Sequence, residues 1–310
     1  MNATAAKAAG PSAATLVLIK SDPAAPAWNL DHDGELFVAA ALTIRIGERE
    51  LQLAAGASIA QAQEAVAGTD YAIVVDADRL AAIPYAEALG QFEIAGGFHF
   101  APGGNAKGRS GGDDVPAINP CSMWDGAWRP SCPDPRGMVC VDGPAGRFWA
   151  DIYLMGADHL DQGTSAFGVV IADGYSEPMP QNPAGGRFNR FDFAAAAAAA
   201  AHHGKGLLSY DEYRAAAYGV TERSEADADP ETTGLDAPRT SACGLMQATG
   251  NLWVWGHDGD PDAPRASLFG GAWAGDGDGG ARRAAVACSW PAGSVDNCGA
   301  RARSDHLQLA

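Results

Sequence analysis

Basic residues are scarce in this chain: Lys and Arg number 21 against 38 Asp and Glu, a formal net charge of −17 over 310 residues. That sign repels a phosphate backbone, which excludes nucleic acid as a natural partner. Long apolar runs are missing as well. The most uniform stretch, Ala194 to Ala201, is short and weakly hydrophobic, whereas a membrane-spanning helix needs ~20 apolar residues, so no membrane insertion is expected. Only Lys7 precedes the brief apolar run Ala13 to Ile19, and no small-residue cleavage site follows before Lys20, which argues against a signal peptide. The six cysteines contain no Cys-x-x-Cys pair, so a zinc site is not expected and the thiols read as free, or free around a single disulfide.

What is abundant is glycine, 39 residues, beside 19 prolines and only 19% charged residues. Such a composition points to a loop-rich β or α+β protein and away from a helical bundle. The length suits about two domains of ~150 residues. Thr15 to Ile19 reads as a strand, and Leu42 to Ile46 with Glu50 to Leu53 as a hairpin across Gly47-Glu48-Arg49, because Ile44, Ile46, Leu51 and Leu53 alternate. Tyr71 to Val75 and Phe98 to Phe100 add strands, and short alternating strands of this kind predict a small β-sandwich. A Gly-, Pro-, Asn- and Asp-rich stretch, Ala101 to Pro120, marks the domain boundary.

Beyond it, Arg147 to Met155 predicts a strand, Asn189 to His203 an alanine-rich helix, and Ser209-Tyr210-Asp211-Glu212 a capping box opening a second helix to about Tyr218. Glu222 to Ser241, acidic and Pro-containing, reads as a long surface loop. Trp- and Gly-rich strands follow at Leu252 to Trp255, Leu268 to Trp273, Ala284 to Trp290 and Asp305 to Leu309.

No motif builds a catalytic centre. Asp258, Asp260 and Asp262 are spaced like an EF-hand, but the sixth and twelfth positions are Ala263 and Phe269, not the required Gly and Glu. Asp276 and Asp278 form a second acidic Gly-rich stretch of the kind usually solvated. His202 and His203, adjacent on a helix, point about 100° apart and cannot share one ion, so they complement the helix dipole ahead of Gly204. His306 beside Asp305 lacks a nucleophile elbow. Trp253, Trp255 and Trp273, with Gly270 and Gly271, are packing residues.

The motifs GNLWVWG (Gly250 to Gly256), LFGGAW (Leu268 to Trp273) and CGARARSDHL (Cys298 to Leu307) resemble the C-terminal end of C-type-lectin folds of the formylglycine-generating-enzyme type. The pattern is most similar to the bacteriophage major tropism determinants, tail-fibre receptor-binding proteins diversified by a retroelement. GTDYAIVV (Gly68 to Val75), GGFHFAPGGNA (Gly96 to Ala106), DPRGM (Asp134 to Met138), FWADIYLMGADHLDQGTS (Phe148 to Ser165) and HHGK (His202 to Lys205) extend the resemblance upstream in the same order. It spans roughly Leu16 to Leu309. The family's small N-terminal β-prism has no counterpart.

The resemblance implies an α+β chain with a disordered stretch at 1–13, a β-sandwich domain and Gly-rich linker at 14–120 and a C-type-lectin-fold variable domain at 121–310. It implies a homotrimer on a virion tail fibre, or one encoded by a prophage and cytoplasmic before assembly, that binds a bacterial cell-surface receptor, protein or glycan, without cofactor or metal. Adenine-directed mutagenesis in such proteins alters chosen C-terminal codons. Carried over with one extra residue near Arg282 or Arg283, the variable set is Ala272, Ala274, Asp276, Asp278, Val286, Cys288, Ser289, Gly293, Val295, Asn297 and Cys298. Trp273 and Trp290 are not reachable by that mutagenesis, which suits a fixed role. A loop-displayed set on a rigid core could vary without unfolding the protein. Two other functions fit the fold: an oxidase of the formylglycine-generating type using Cys288 and Cys298, and a calcium-dependent sugar lectin. The thiols coincide with variable positions, and no Glu-Pro-Asn triplet is present, the nearest being Glu177-Pro178-Met179.

Overall fold

The computed structural model describes residues 16–61, 64–104, 115–260, 262–275, 277–286 and 290–308. The expected disordered stretch and most of the Gly-rich linker lie outside the described residues. Strands dominate, with few helices. The first part of the chain forms β1 (Leu16–Lys20), β2 (Trp28–Leu30), β3 (Leu36–Val38), β4 (Leu42–Ile46), β5 (Arg49–Leu53), β6 (Thr69–Asp76), β7 (Arg79–Pro84), the short helix α1 (Tyr85–Ala88), β8 (Ile94–Ala101), β9 (Ala117–Ile118) and β10 (Trp124–Asp125). One sheet has the order β1-β4-β5; another runs β10-β8-β6-β7 with β9 beside β8, and β2 and β3 pair separately.

The expected hairpin is present, with Leu42 opposite Leu53 and Ile44 opposite Leu51. Gly47 turns it at φ 59°, a backbone region that glycine enters without steric cost. Apolar side chains of both sheets converge in one cluster that includes Ile44, Tyr71, Ile73, Leu80 and Phe98 beside Trp28 and Leu36. β6 is apolar on both faces because α1 covers its other side, where Ala72 and Val74 meet Ala88. In β8 a Cβ at Gly96 would strike the Trp28 indole and the Trp124 carbonyl; with the glycine there, Trp28 Nε1 donates to that carbonyl at 3.0 Å. β10 is anchored by charge. The Asp125 carboxylate takes Lys20 at 2.8 Å with both side chains almost wholly buried, and accepts the Ala27, Ala127 and Trp128 amides, so no buried lone pair is stranded.

The remainder of the chain forms β11 (Met138–Gly143), β12 (Gly146–Asp151), α2 (His159–Gln162), α3 (Phe193–His202), β13 (Gly206–Leu207), α4 (Tyr210–Ala216), β14 (Trp253–His257), β15 (Ala266–Phe269), β16 (Ala284–Val286), β17 (Cys298–Ala300) and β18 (Ala302–Asp305). They build two four-stranded sheets, β11-β12-β18-β13 and β16-β15-β14-β17. In the second, β14 and β17 run parallel. The capping box at Ser209 and Glu212 is made in full. The alanine helix starts later than its composition predicts, at Phe193, because the Asp192 side chain accepts the Ala195 amide at 3.0 Å and caps it there. The strand expected to reach Met155 stops at Asp151, since the carbonyls of Asp151 and Ile152 turn to the fully buried Arg301 guanidinium at 2.7 and 2.5 Å. That same guanidinium donates to Met246 at 2.6 Å, and burial draws its pKa down to about 10, still protonated at neutral pH. Beside it, Lys205 and Asp151 pair at 2.8 Å with both side chains fully buried.

The parts of the chain meet at His99, whose ring nitrogens lie 3.0 Å from Asp70 and 2.9 Å from the Tyr153 hydroxyl. His203 does not partner only its neighbour: it packs edge-on against His159, ring centroids 5.3 Å apart. The His159 ring is 2% exposed, and neither nitrogen has a partner at hydrogen-bonding geometry. Burial, followed by the charges of Lys205 and His203, holds its pKa well below the usual histidine range. Cys132, Cys140, Cys243 and Cys298 are free thiols.

Trp255 is fully buried and meets the Phe193 ring edge-on at 6.2 Å. Trp255→Ala is expected to cost ~3–5 kcal/mol, seen as a lowered thermal midpoint. For His159 the sign runs toward acid lability: the folded state favours the neutral ring, so the stability this burial contributes is complete above the unfolded pKa of ~6.5 and falls away below it. Urea midpoints should therefore drop between neutral pH and the mildly acid range, and His159→Leu should flatten that drop. An equal slope in the variant would assign the acid sensitivity elsewhere.

Candidate functional site

The inferred variable positions fall in two stretches around the sheet β16-β15-β14-β17. The first is the connection leaving β15. Gly270 and Gly271 take φ of 93° and 78°, turning the chain into a path where Trp273 donates its amide to Asn251 at 2.9 Å. Asn251 is itself fixed by side-chain donation to Asp236 at 2.9 Å and to the Thr249 carbonyl at 3.1 Å. The acidic segment predicted as a surface loop runs beneath this connection and props it. Ser224 donates its amide to Gly279 at 3.0 Å, Ala226 to Gly250 at 2.7 Å, and the Glu225 carboxylate accepts the Gly277 amide at 2.7 Å. Without the tertiary structure that role had no signal, because the bonds are to backbone groups distant in sequence.

The second stretch is the return into β17. Its carbonyls are used by the scaffold: Asn297 accepts the Trp253 amide at 2.8 Å, Val295 the Gly174 amide at 3.0 Å, and Pro291 the Phe193 amide at 3.3 Å. Ser294 Oγ donates to the Gly174 carbonyl at 2.6 Å and accepts the Phe191 amide at 2.9 Å. Apart from the Ser294 hydroxyl, which is outside the inferred variable set, the backbone path is thereby fixed by main-chain bonds that do not depend on side-chain identity.

Ala274 and Asp278 face solvent, Asp278 making an ion pair with Arg283 at 3.4 Å. Val295 and Asn297 are half-buried. Val286 lies in β16 opposite Ser267. Ala272 and Cys298 are each 1% exposed, and Gly293 is buried, so these three are exceptions to placement on exposed loops. Ala272 is bridged to Asn251, Gly293 lies under the Trp290 ring, and Cys298 sits inside β17 against the apolar cluster around Trp255. Asp276, Cys288 and Ser289 lie outside the described residues.

The chemistry of this region is that of a surface. Burial, then the nearby Asp296 and Asp173 carboxylates, pushes the Cys298 thiol up to about 12, the opposite of the depressed pKa a reactive thiolate requires. Of the tryptophans assigned to packing, Trp255 is fully buried and Trp253 and Trp273 are partly buried, whereas Trp290 is 46% exposed. Among the described residues, the one cluster of three or more acidic or histidine side chains close enough to hold a metal is the exposed Asp31, His32 and Asp33, far in sequence from both stretches. No helix of the described residues is long and apolar enough to cross a membrane.

No protein-family model matches the chain. It is 37% identical over 331 aligned positions to the tail fiber receptor-binding protein of Bordetella phage BPP-1, covering 94% of this chain and 85% of that one. The chain belongs to the major tropism determinant family. Its structure overlays the U1, M1 and P3c variants of the major tropism determinant with a TM-score of 0.82 for each, at 34% identity, over 94% of this chain and 86% of theirs. The Bordetella phage relative is a receptor-binding protein.

Cys298 is expected to resist alkylation at pH 8 in the folded protein and to react once denatured, because a buried thiol of high pKa is almost all protonated there. Peptide mass mapping of the two samples distinguishes this from an accessible thiol, which would label in both.

Proposed function

We propose that this chain is a phage receptor-binding, tropism-determining protein that presents the variable positions to a receptor on a bacterial surface. The observation that carries the reading is the family match across 94% of the chain, together with loops whose backbone is held mainly by main-chain bonds while Ala274 and Asp278 face solvent. The finer architecture belongs to the same proposal: a β-sandwich over 14–120, whose two sheets share the cluster around Trp28, and a C-type-lectin-fold domain over 121–310, assembled as a homotrimer on a tail fibre. Three copies would raise avidity by ~10²–10⁴ if all can bind at once. Membership of the family supports binding over the oxidase reading, and the raised Cys298 thiol weighs against a cysteine pair acting there.

Two measurements test it. Light scattering at micromolar concentration should give three times the 31.8 kDa chain mass; a monomer removes the assembly. Replacing Asp276, Asp278, Val286, Ser289, Val295 and Asn297 together with Tyr should change stability by no more than about ±0.5 kcal/mol at each exposed site, while adsorption to the host cells bound by the parent is lost. A variant that fails to fold while Trp255→Ala folds normally would reverse the assignment of scaffold and display surface.

A further inference from the structure

The variable members are small or polar, whereas Trp, Tyr and Arg carry most binding energy at protein interfaces. Two large aromatics stand beside the 290–298 stretch. Tyr175, at 77%, is the most exposed large hydrophobic side chain among the described residues, and Trp290 is 46% exposed. Neither is on a loose tether. The Asp173 carboxylate accepts the amides of Tyr175 and Ser176 at 2.7 and 2.5 Å, which sets the turn carrying the phenol. The preceding Gly174 lies so close to Ser294 and Val295 that a Cβ would run into their backbone. Trp290 leans on the buried Trp255 with centroids 6.4 Å apart and covers Gly293. The backbone that carries Tyr175 and the ring of Trp290 are therefore fixed before any partner arrives, which reduces the ordering cost of binding.

Their surroundings are mainly acidic. Asp173 holds the turn that carries Tyr175, Asp296 lies between Val295 and Asn297, and both, with Glu231, add to burial in raising the pKa of Asp229. Arg190 approaches from the other side, where it donates to the Ala292 carbonyl at 3.3 Å. Aromatic faces set among carboxylates suit the ammonium and guanidinium groups of lysine and arginine, while the anionic phosphates of a bacterial glycan would be repelled.

Resting on the receptor-binding reading, we propose that Tyr175 and Trp290 are fixed aromatic anchors of the display surface, and that its partner is a protein epitope presenting lysine or arginine side chains. The variable residues then select among such epitopes, while the anchors persist through every variant, because Tyr175 lies outside the altered segment and Trp290 is not reachable by the mutagenesis.

The test selects binders to the intact parent protein from a displayed library of short random peptides, in parallel with an array of bacterial glycans. Recovered peptides should be rich in Lys and Arg. Their affinity should fall about tenfold or more in Tyr175→Ala and in Trp290→Ala, and also on raising NaCl from about 50 to 500 mM. Tyr175→Phe, which keeps the ring, should bind as the parent does. Thermal midpoint and oligomeric mass should be unchanged in Tyr175→Ala; if Trp290→Ala melts early through loss of its contact with Trp255, Tyr175→Ala decides alone. Recovery of no peptide, peptides without cationic residues, binding to glycans in their place, or undiminished binding by the alanine variant overturns the proposal. The two readings fail separately. Host-cell adsorption by the parent that alanine at Tyr175 leaves intact removes the anchors and spares receptor binding, whereas no adsorption by the parent removes receptor binding itself.

Discussion

One buried cation organises the second half of the chain. The Arg301 guanidinium, fully enclosed, donates to the carbonyls of Asp151, Ile152, Met246 and Gln247. In doing so it joins the end of β12, the segment before β14 and the junction of β17 with β18. A charge so placed is tolerable only because oxygen atoms surround it and the Asp151 carboxylate lies nearby. Asp151 in turn holds Lys205, so three segments distant in sequence are obliged to meet. Loss of Asp151 leaves two buried cations without an anion, and loss of Arg301 strips four carbonyls of their donor, which makes the arrangement close to all-or-none.

This constraint would let folding proceed independently of variation at the proposed positions. The rigid elements around Arg301 and Trp255 are built from residues outside the inferred variable set, Cys298 and the half-buried Val295 excepted. The two stretches bearing that set are held instead through amides and carbonyls, as at Asn297, Val295 and Gly277. A backbone bond survives a change of side chain provided φ and ψ are retained, whereas a packed methyl group does not. Ala272, Gly293 and Cys298 mark where this separation is narrowest, because their side chains or Cβ positions are enclosed. Substitution there meets the Trp290 ring, the Asn251 bridge or the interior of β17.

The acidic segment from Glu222 to Ser241 shows how a stretch without regular structure can still be structural. It is held to the connection after β15 by backbone bonds and by the Glu225 carboxylate, and Arg239 pairs with Asp236 at 2.8 Å while donating to the Glu225 carbonyl. A connection of 20 residues is uncommon in a compact domain unless it serves another segment, and here it supports the proposed display surface.

Much of the architecture was legible in local patterns. Alternation placed the hairpin of β4 and β5, the Ser209 to Glu212 spacing placed the start of α4, and Trp255 read as core, since these depend on neighbours a few residues away. Ordered motifs along the chain also pointed to the family. The end of β12 and the packing of His203 on His159 were not legible, because each is decided by a partner far along the chain, Arg301 for the first and α2 for the second, whereas the later start of α3 is set locally by the Asp192 cap. The candidate site divides in the same way. Sequence alone offered the variable positions only as what the family resemblance implies, through the register of motifs around Trp273 and Trp290. Only the tertiary structure decided that Ala274 and Asp278 face outward, that Gly174 beside Tyr175 stands against Val295, and that Ala272 and Cys298 do not reach solvent, because exposure depends on what the rest of the chain packs against each residue.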